Sequence, residues 1–411
     1  MSRQSMISPV NDWLVSQALG DSDIVEMFGQ LCERLLGIGI PVSRARLVWP
    51  TLHPLFQAET VQWDRGEPVR FDQFEHQDTA SEAWQRSPLK YLLDHQLEIL
   101  RRELDGPNAL LDFELMKELK QDGYTDYVLL GTRLDGISIY RREGDENSNR
   151  GILLSWATDN TGGFSEDDLW SLQKIQKRFA IACKSIIQSR ISSNIARTYL
   201  GSRAGNHVLD GQIRRGDGAR IEAVVWFSDL RNSTSLTETL PPEEYFELLN
   251  TYFAASAEPV TQHGGEILDF IGDAVLGIFP FEGENEMAKA AEAARKALDC
   301  ALAKTAELND QRLKNGFEKF NFGIGLNVGD VQFGNIGIPQ RLSFSVIGRA
   351  VNQAARIETM TKMLQQPVLA DNCFAKLQPD LWKSVGRHKL EGVLGDVELF
   401  SYNGIETATC N

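Results

Sequence analysis

Apolar positions in the first half of the chain follow two periods. Residues 23–36 repeat every three to four positions, the spacing of an amphipathic helix, whereas 44–49, 127–132 and 151–157 are short apolar runs that read as strands. Ser165-Glu-Asp-Asp168 is a capping signal that opens a long helix running past Ile186. Within it Ile175, Phe179, Ala182 and Ile186 step by four, three and four. That spacing is either a short coiled-coil-like seam or one core face of an amphipathic helix. The helical pattern resumes over 191–200. A Gly- and Arg-rich connector at 201–220 then marks a domain boundary.

From 221 onward the pattern is α+β. Apolar runs at 221–227 and 267–271 read as strands, each closed by an acid, Asp229 and Asp273. Pro241-Pro-Glu-Glu244 opens a helix with Phe246, Leu249 and Phe253 as its buried face, and His263-Gly-Gly265 ends it. Strands 267–271 and 275–279 turn at Gly272-Asp273. An alanine-rich helix fills about 285–308. Runs 321–328 and 331–335 predict a hairpin at Gly329-Asp330. A strand at 343–347, a helix through Arg356 and a closing strand pair around Lys389 and Leu399 complete the chain. The expected organisation is a domain over 1–188, a helical linker over 189–220 and a second domain over 221–411.

At 411 residues the chain can bury two or three cores, and its net charge of −15 argues against nonspecific binding of nucleic acid. A small polyphosphate is allowed if divalent cations carry the positive charge. The five cysteines (32, 183, 300, 373, 410) are scattered without a CxxC pair, which fits a reducing compartment and argues against structural zinc. His53, His76, His95, His207, His263 and His388 show no ligand spacing. No apolar run reaches the length of a membrane span, and the first residues carry no signal-peptide pattern. The expectation is a cytoplasmic protein without membrane or nucleic-acid partners.

Two carboxylates at strand ends, one beside the hydroxyl-rich turn Asn232-Ser-Thr234, suit a two-metal site for a nucleoside triphosphate. Either they hold metals or they cap turns. Backbone N–H groups of Leu230–Thr234, entering a helix, can cradle phosphate, or Asn232, Ser233 and Thr234 can form a simple helix cap, or both. Asn352 and Arg356 stand four apart on one helical face.

Four segments in order resemble the class III nucleotidyl cyclase catalytic domain: Phe227-Ser-Asp-Leu-Arg-Asn-Ser-Thr234, Phe270-Ile-Gly-Asp273, Gly323-Ile-Gly-Leu-Asn-Val-Gly-Asp-Val331 and the run from Phe344 to Arg356. The resemblance implies a ferredoxin-like α+β domain that dimerises head to tail with active sites across the interface. It also implies attack of the ribose 3′-hydroxyl on the α-phosphate, releasing pyrophosphate. Two Mg²⁺ or Mn²⁺ ions per site would sit on Asp229 and Asp273, with Leu230 beside them. Arg231, Asn232, Ser233, Thr234 and Lys389 would contact phosphates, Asn352 would place the ribose, and Arg356 would stabilise the α-phosphate. Asp269 and Ser345 occupy the base-reading positions.

Two residues depart from the family pattern. Asp269 stands where purine cyclases carry a base-reading lysine, and Glu391 where a basic residue contacts the triphosphate. On a strand, Lys389 would share a face with Glu391 and could substitute for it. An acid at 269 pairs naturally with guanine's two donors, whereas the bacterial character of the motifs favours ATP. The implied function is a homodimeric cyclase making 3′,5′-cyclic AMP. The alternatives are a guanine or pyrimidine cyclase, or a degenerate domain that binds nucleotide or a partner without turnover. Residues 21–188 resemble a GAF-type sensory domain, implying either a small-molecule effector or a dimerisation module.

Overall fold

The computed structural model describes residues 3–20, 22–76, 81–134, 151–338 and 340–404. They form two compact units, 1–195 and 196–411. Both are α+β. Among the described residues no helix is long and apolar enough to cross a membrane.

Unit 1 runs α1 (Arg3–Leu19), α2 (Ile24–Gly37), β1 (Arg44–Pro50), β2 (Phe56–Asp64), β3 (Arg70–Glu75), α3 (Glu82–Gln85), α4 (Pro88–Asp94), β4 (Ile99–Glu103), α5 (Glu114–Gln121), β5 (Asp126–Arg133), β6 (Gly151–Thr158) and α6 (Glu166–Leu200). Its six strands are antiparallel in the order β3-β2-β1-β6-β5-β4. Strand β6 is buried at every position because both faces of the sheet are covered, which explains its unbroken apolar run. Leu154 and Trp156 join Phe28 of α2 and Phe179 of α6 on one face, while Leu153 and Ala157 join Leu92 of α4 and Met116 of α5 on the other. The start of α6 closes as a capping box, with Asp168 N donating to Ser165 Oγ at 3.2 Å and Ser165 N to Asp168 Oδ2 at 3.1 Å. Ile175, Phe179 and Ala182 are fully buried and Ile186 packs beside them, so this stripe is a core face and not a coiled-coil seam.

Unit 2 runs α7 (Ser202–Leu209), β7 (Gly218–Leu230), α8 (Ser233–Thr239), α9 (Pro242–Ser256), α10 (Glu258–Gln262), β8 (Glu266–Ile271), β9 (Ala274–Phe281), α11 (Glu284–Lys314), β10 (Phe322–Ile338), β11 (Arg341–Ile347), α12 (Arg349–Met363), β12 (Val368–Asp371), α13 (Asn372–Ala375), β13 (Trp382–Lys389) and β14 (Asp396–Tyr402). The order β10-β7-β9-β8, antiparallel throughout, is the ferredoxin-like βαββαβ arrangement. Strand β7 is its two-faced centre: Val224 and Trp226 pack with α9 and α11, and Ala223 and Val225 pack with α12. Residues 202–209 and 218–220 of the expected connector are regular structure, α7 and the start of β7.

Three expectations are corrected. The predicted hairpin at Gly329-Asp330 does not exist, because β10 runs unbroken and pairs Gly329 with Ala223 and Asp330 with Glu222 of β7. Gly329 serves close packing instead, since a Cβ there would lie 2.9 Å from Ala350 Cβ of α12. Helix α9 buries Leu248, Tyr252 and Ala255 and leaves Phe246 66% exposed, so the predicted face is rotated, with Leu249 and Phe253 only flanking the core. The helix ends at Ser256, before Pro259 of α10, rather than at His263-Gly-Gly265.

Gly325 shows how tightly α12 lies on β10. A Cβ there would meet Ala354 O and come within 2.6 Å of Glu358 N, both backbone atoms that cannot turn aside. Gly325→Ala should therefore destabilise the protein by about 1–3 kcal/mol, read as a lower urea midpoint. An unchanged midpoint would show that α12 is free to lift.

Candidate active site

The site starts from sheet register. Asp229, one residue from the end of β7, pairs with Ala274 of β9 on one side and Gly323 of β10 on the other. Asp273 directly precedes Ala274, in the two-residue turn between β8 and β9. Gly272 supplies the positive φ of 66° this turn needs at its first central position. The pairing thus delivers two carboxylates to one spot.

Their charges interact. Burial and the neighbouring Asp273 carboxylate push Asp229 up to about 6, against the opposing pull of Arg231 and Lys362. Like charges held together by a sheet are relieved either by a proton on one of them or by a cation between them. Among the described residues no group of three or more His, Cys, Asp or Glu side chains gathers to hold a metal. A two-carboxylate site suits Mg²⁺ or Mn²⁺ that takes its remaining oxygens from water and substrate phosphates. Leu230 is 2% exposed, so only its backbone carbonyl is suited to join them.

Arg231 has partners of its own on α12. Its Nη1 donates to Glu358 Oε1 at 3.0 Å, and its Nη2 donates to Thr361 Oγ1. Glu358 is almost wholly buried, and that burial pushes it up to about 7, with Arg231 pulling down and Asp229 pushing further up. Asn232 takes the N-cap position of α8 in the left-handed conformation at φ 59° and makes no side-chain cap bond. Ser233 and Thr234 are the first two residues of α8.

Helix α12 carries the other candidates on its opposite side. Val351, Ala354, Glu358 and Thr361 are buried, whereas Asn352 and Arg356 are exposed together, as their spacing requires. Asp269 is exposed on β8 and Ser345 half-buried on β11. Their sequence neighbours Leu268 and Val346 pack against the same apolar cluster. Lys389 is exposed and ends β13, so Glu391 lies beyond the strand and the shared-face relation between them fails. Glu391 instead stands 3.6 Å from Arg356 Nη1.

Sequence reasoning missed Glu358, Thr361 and Lys362. A signal was present: Val351, Ala354, Glu358 and Thr361 step by three, four and three along the core stripe, and a buried acid requires a cationic partner.

Asp229's raised value has a pH signature. The folded protein keeps a proton that the unfolded chain, near 3.8, has lost, so this contribution is complete below that value and disappears as pH rises through about 6. Metal-free Asp229→Asn should be more stable than the parent at pH 8, by on the order of 1 kcal/mol after solvent screening. The gap should close near pH 4, and Mn²⁺ should reverse the order at pH 8. Denaturation midpoints that track each other at every pH would contradict the charge pair.

A family model described as the adenylate and guanylate cyclase catalytic domain matches residues 219–387. An adenylate cyclase of Anabaena cylindrica is 36% identical over 155 residues, covering 36% of this chain and 29% of that protein. Adenylate cyclase 1 of Rhizobium meliloti is 28% identical over 194 residues, 46% of this chain and 28% of that protein. The chain thus spans less than a third of either relative. The crystal structure of the adenylyl cyclase CyaB from P. aeruginosa aligns with a TM-score of 0.42 at 26% identity, over 47% of this chain and 99% of that one. With Asp229 near the end of β7 and Asp273 in the turn into β9 of a ferredoxin-like sheet, the segment 219–387 belongs to the adenylate and guanylate cyclase catalytic-domain family.

Proposed function

We propose that the chain is a nucleotidyl cyclase that converts ATP to 3′,5′-cyclic AMP and pyrophosphate as a homodimer. The observation that carries this reading is the Asp229–Asp273 pair, whose mutual charge calls for a cation. Asp229 and Asp273 would hold Mg²⁺ or Mn²⁺, which would lower the pKa of the 3′-hydroxyl and neutralise charge on the triphosphate. Asn352 orients the ribose. Arg356 meets the charge that grows on the α-phosphate, a contribution that preorganisation makes large. The 3′-oxygen bonds to the α-phosphorus, the α–β bridging bond breaks, pyrophosphate leaves and the hydroxyl proton passes to water.

The placement of these groups supports the homodimer reading. The acid pair sits at the β7–β9 end beside Glu358 and Lys362, while Asn352 and Arg356 face solvent on the other side of α12. A second copy presenting its exposed pair to this acid pair completes the site. Adenine is favoured by the adenylate cyclase names of the two relatives. Guanine is the second reading, favoured by Asp269, whose exposed carboxylate offers only acceptors when ionised and so matches guanine's paired donors. Unit 1, a six-stranded sheet enclosed by helices, is read as a GAF-like regulatory domain for a small-molecule effector.

Mixing inactive copies tests the shared site. Asp229→Ala and Arg356→Ala should each lower cyclic nucleotide production by about 10²-fold or more. Mixed in equal amounts and allowed to exchange subunits, they should recover up to roughly a quarter of the parental rate, because one heterodimer site keeps both intact halves. No recovery, despite subunit exchange shown by mass, would mean that each chain builds its site alone.

A further inference from the structure

We propose that Glu391 is a latch on Arg356, an ion pair that the incoming triphosphate must displace, so that this residue sets the enzyme's apparent affinity for its substrate. The proposal rests on the cyclase reading above and concerns how that site is restrained at rest.

Three observations carry it. Glu391 Oε2 stands 3.6 Å from Arg356 Nη1. The backbone on either side is fixed: Leu390 is 2% exposed and packs in one cluster with Ile357 and Met360 of α12, so residue 391 is pinned next to residue 356. Beyond it the chain turns at once, with Gly392 at φ 74° and Val393 N donating to Leu390 O at 3.1 Å. The Glu391 side chain itself is 85% exposed and makes no other hydrogen bond or ion pair among the described residues. It contributes little to the core, so its place beside Arg356 has no packing reason.

The chemistry gives the pair a direction. An arginine that receives phosphate charge must first leave any carboxylate that already holds it. A carboxylate at that spot also repels a polyanion. An exposed pair is weak and screened by salt, so the restraint amounts to a few-fold and not to complete silence. Glu391 therefore acts through Arg356 as a positioning residue, and its removal should change KM more than kcat.

The test uses the full-length chain and the variants Glu391→Gln and Glu391→Lys, with two independent readouts. The first is initial rate against Mn²⁺-ATP and Mn²⁺-GTP at low and high salt. Glu391→Gln should lower KM by about two- to fivefold at low salt, with a smaller change in kcat and a gap that narrows at high salt. Glu391→Lys should lower KM further. The second is calorimetric binding of inorganic tripolyphosphate with Mn²⁺, which needs no turnover and should tighten in the same order. An unchanged or raised KM together with unchanged tripolyphosphate binding overturns the latch. A fall in kcat for Glu391→Gln overturns it too, by showing that the carboxylate aids the reaction. If no variant makes cyclic nucleotide but tripolyphosphate binding still tightens, the cyclase reading fails and the latch stands.

Discussion

Two carboxylates forced together by strand register are the constraint on which the rest of the catalytic unit depends. Asp229 pairs with Ala274, so Asp273 has no choice of neighbour. Burial and the adjacent charge both oppose ionisation of Asp229. A protein gains nothing in stability from such a pair, and the proposed function rests on reading it as a cation site. The surroundings temper the charge without cancelling it: Arg231 and Lys362 are near, yet Arg231 is committed to Glu358 and Thr361.

Helix α12 has two jobs on its two sides. Its buried side reaches Arg231 through Glu358 and Thr361 and so steadies the chain next to Asp229. Its exposed side presents Asn352 and Arg356. The helix can do both because β10 offers glycine at 325 and 329, where any larger residue would push the helix away. In the proposed homodimer, a rigid helix of this kind ties the metal half of one site to the catalytic half of the other.

Much of this was legible in the sequence, for identifiable reasons. Asp229 and Asp273 close apolar runs that the sheet kept as strands, and the four-residue spacing of Asn352 and Arg356 survives as one helical face. The errors also have causes. Gly329-Asp330 carries turn chemistry, but its glycine answers to the approach of Ala350, a tertiary contact that no local pattern reveals. Phe246 is as apolar as Leu249 and Phe253 and falls in helical step with them, yet the helix is oriented by Leu248 and Tyr252. The buried partner of Arg231 was not legible because Glu358 lies 127 residues away in sequence. The two-residue spacing of Lys389 and Glu391 predicts a shared strand face, but β13 stops two residues short of Glu391.

The most direct measurement is product identification by mass after incubating the purified full-length chain with Mn²⁺ and ATP, GTP, CTP or UTP separately. A cyclase gives a 3′,5′-cyclic nucleotide and pyrophosphate in equal amounts, with cyclic AMP the main product expected. A folded, dimeric protein that yields no cyclic nucleotide from any of the four would contradict the catalytic reading of the acid pair.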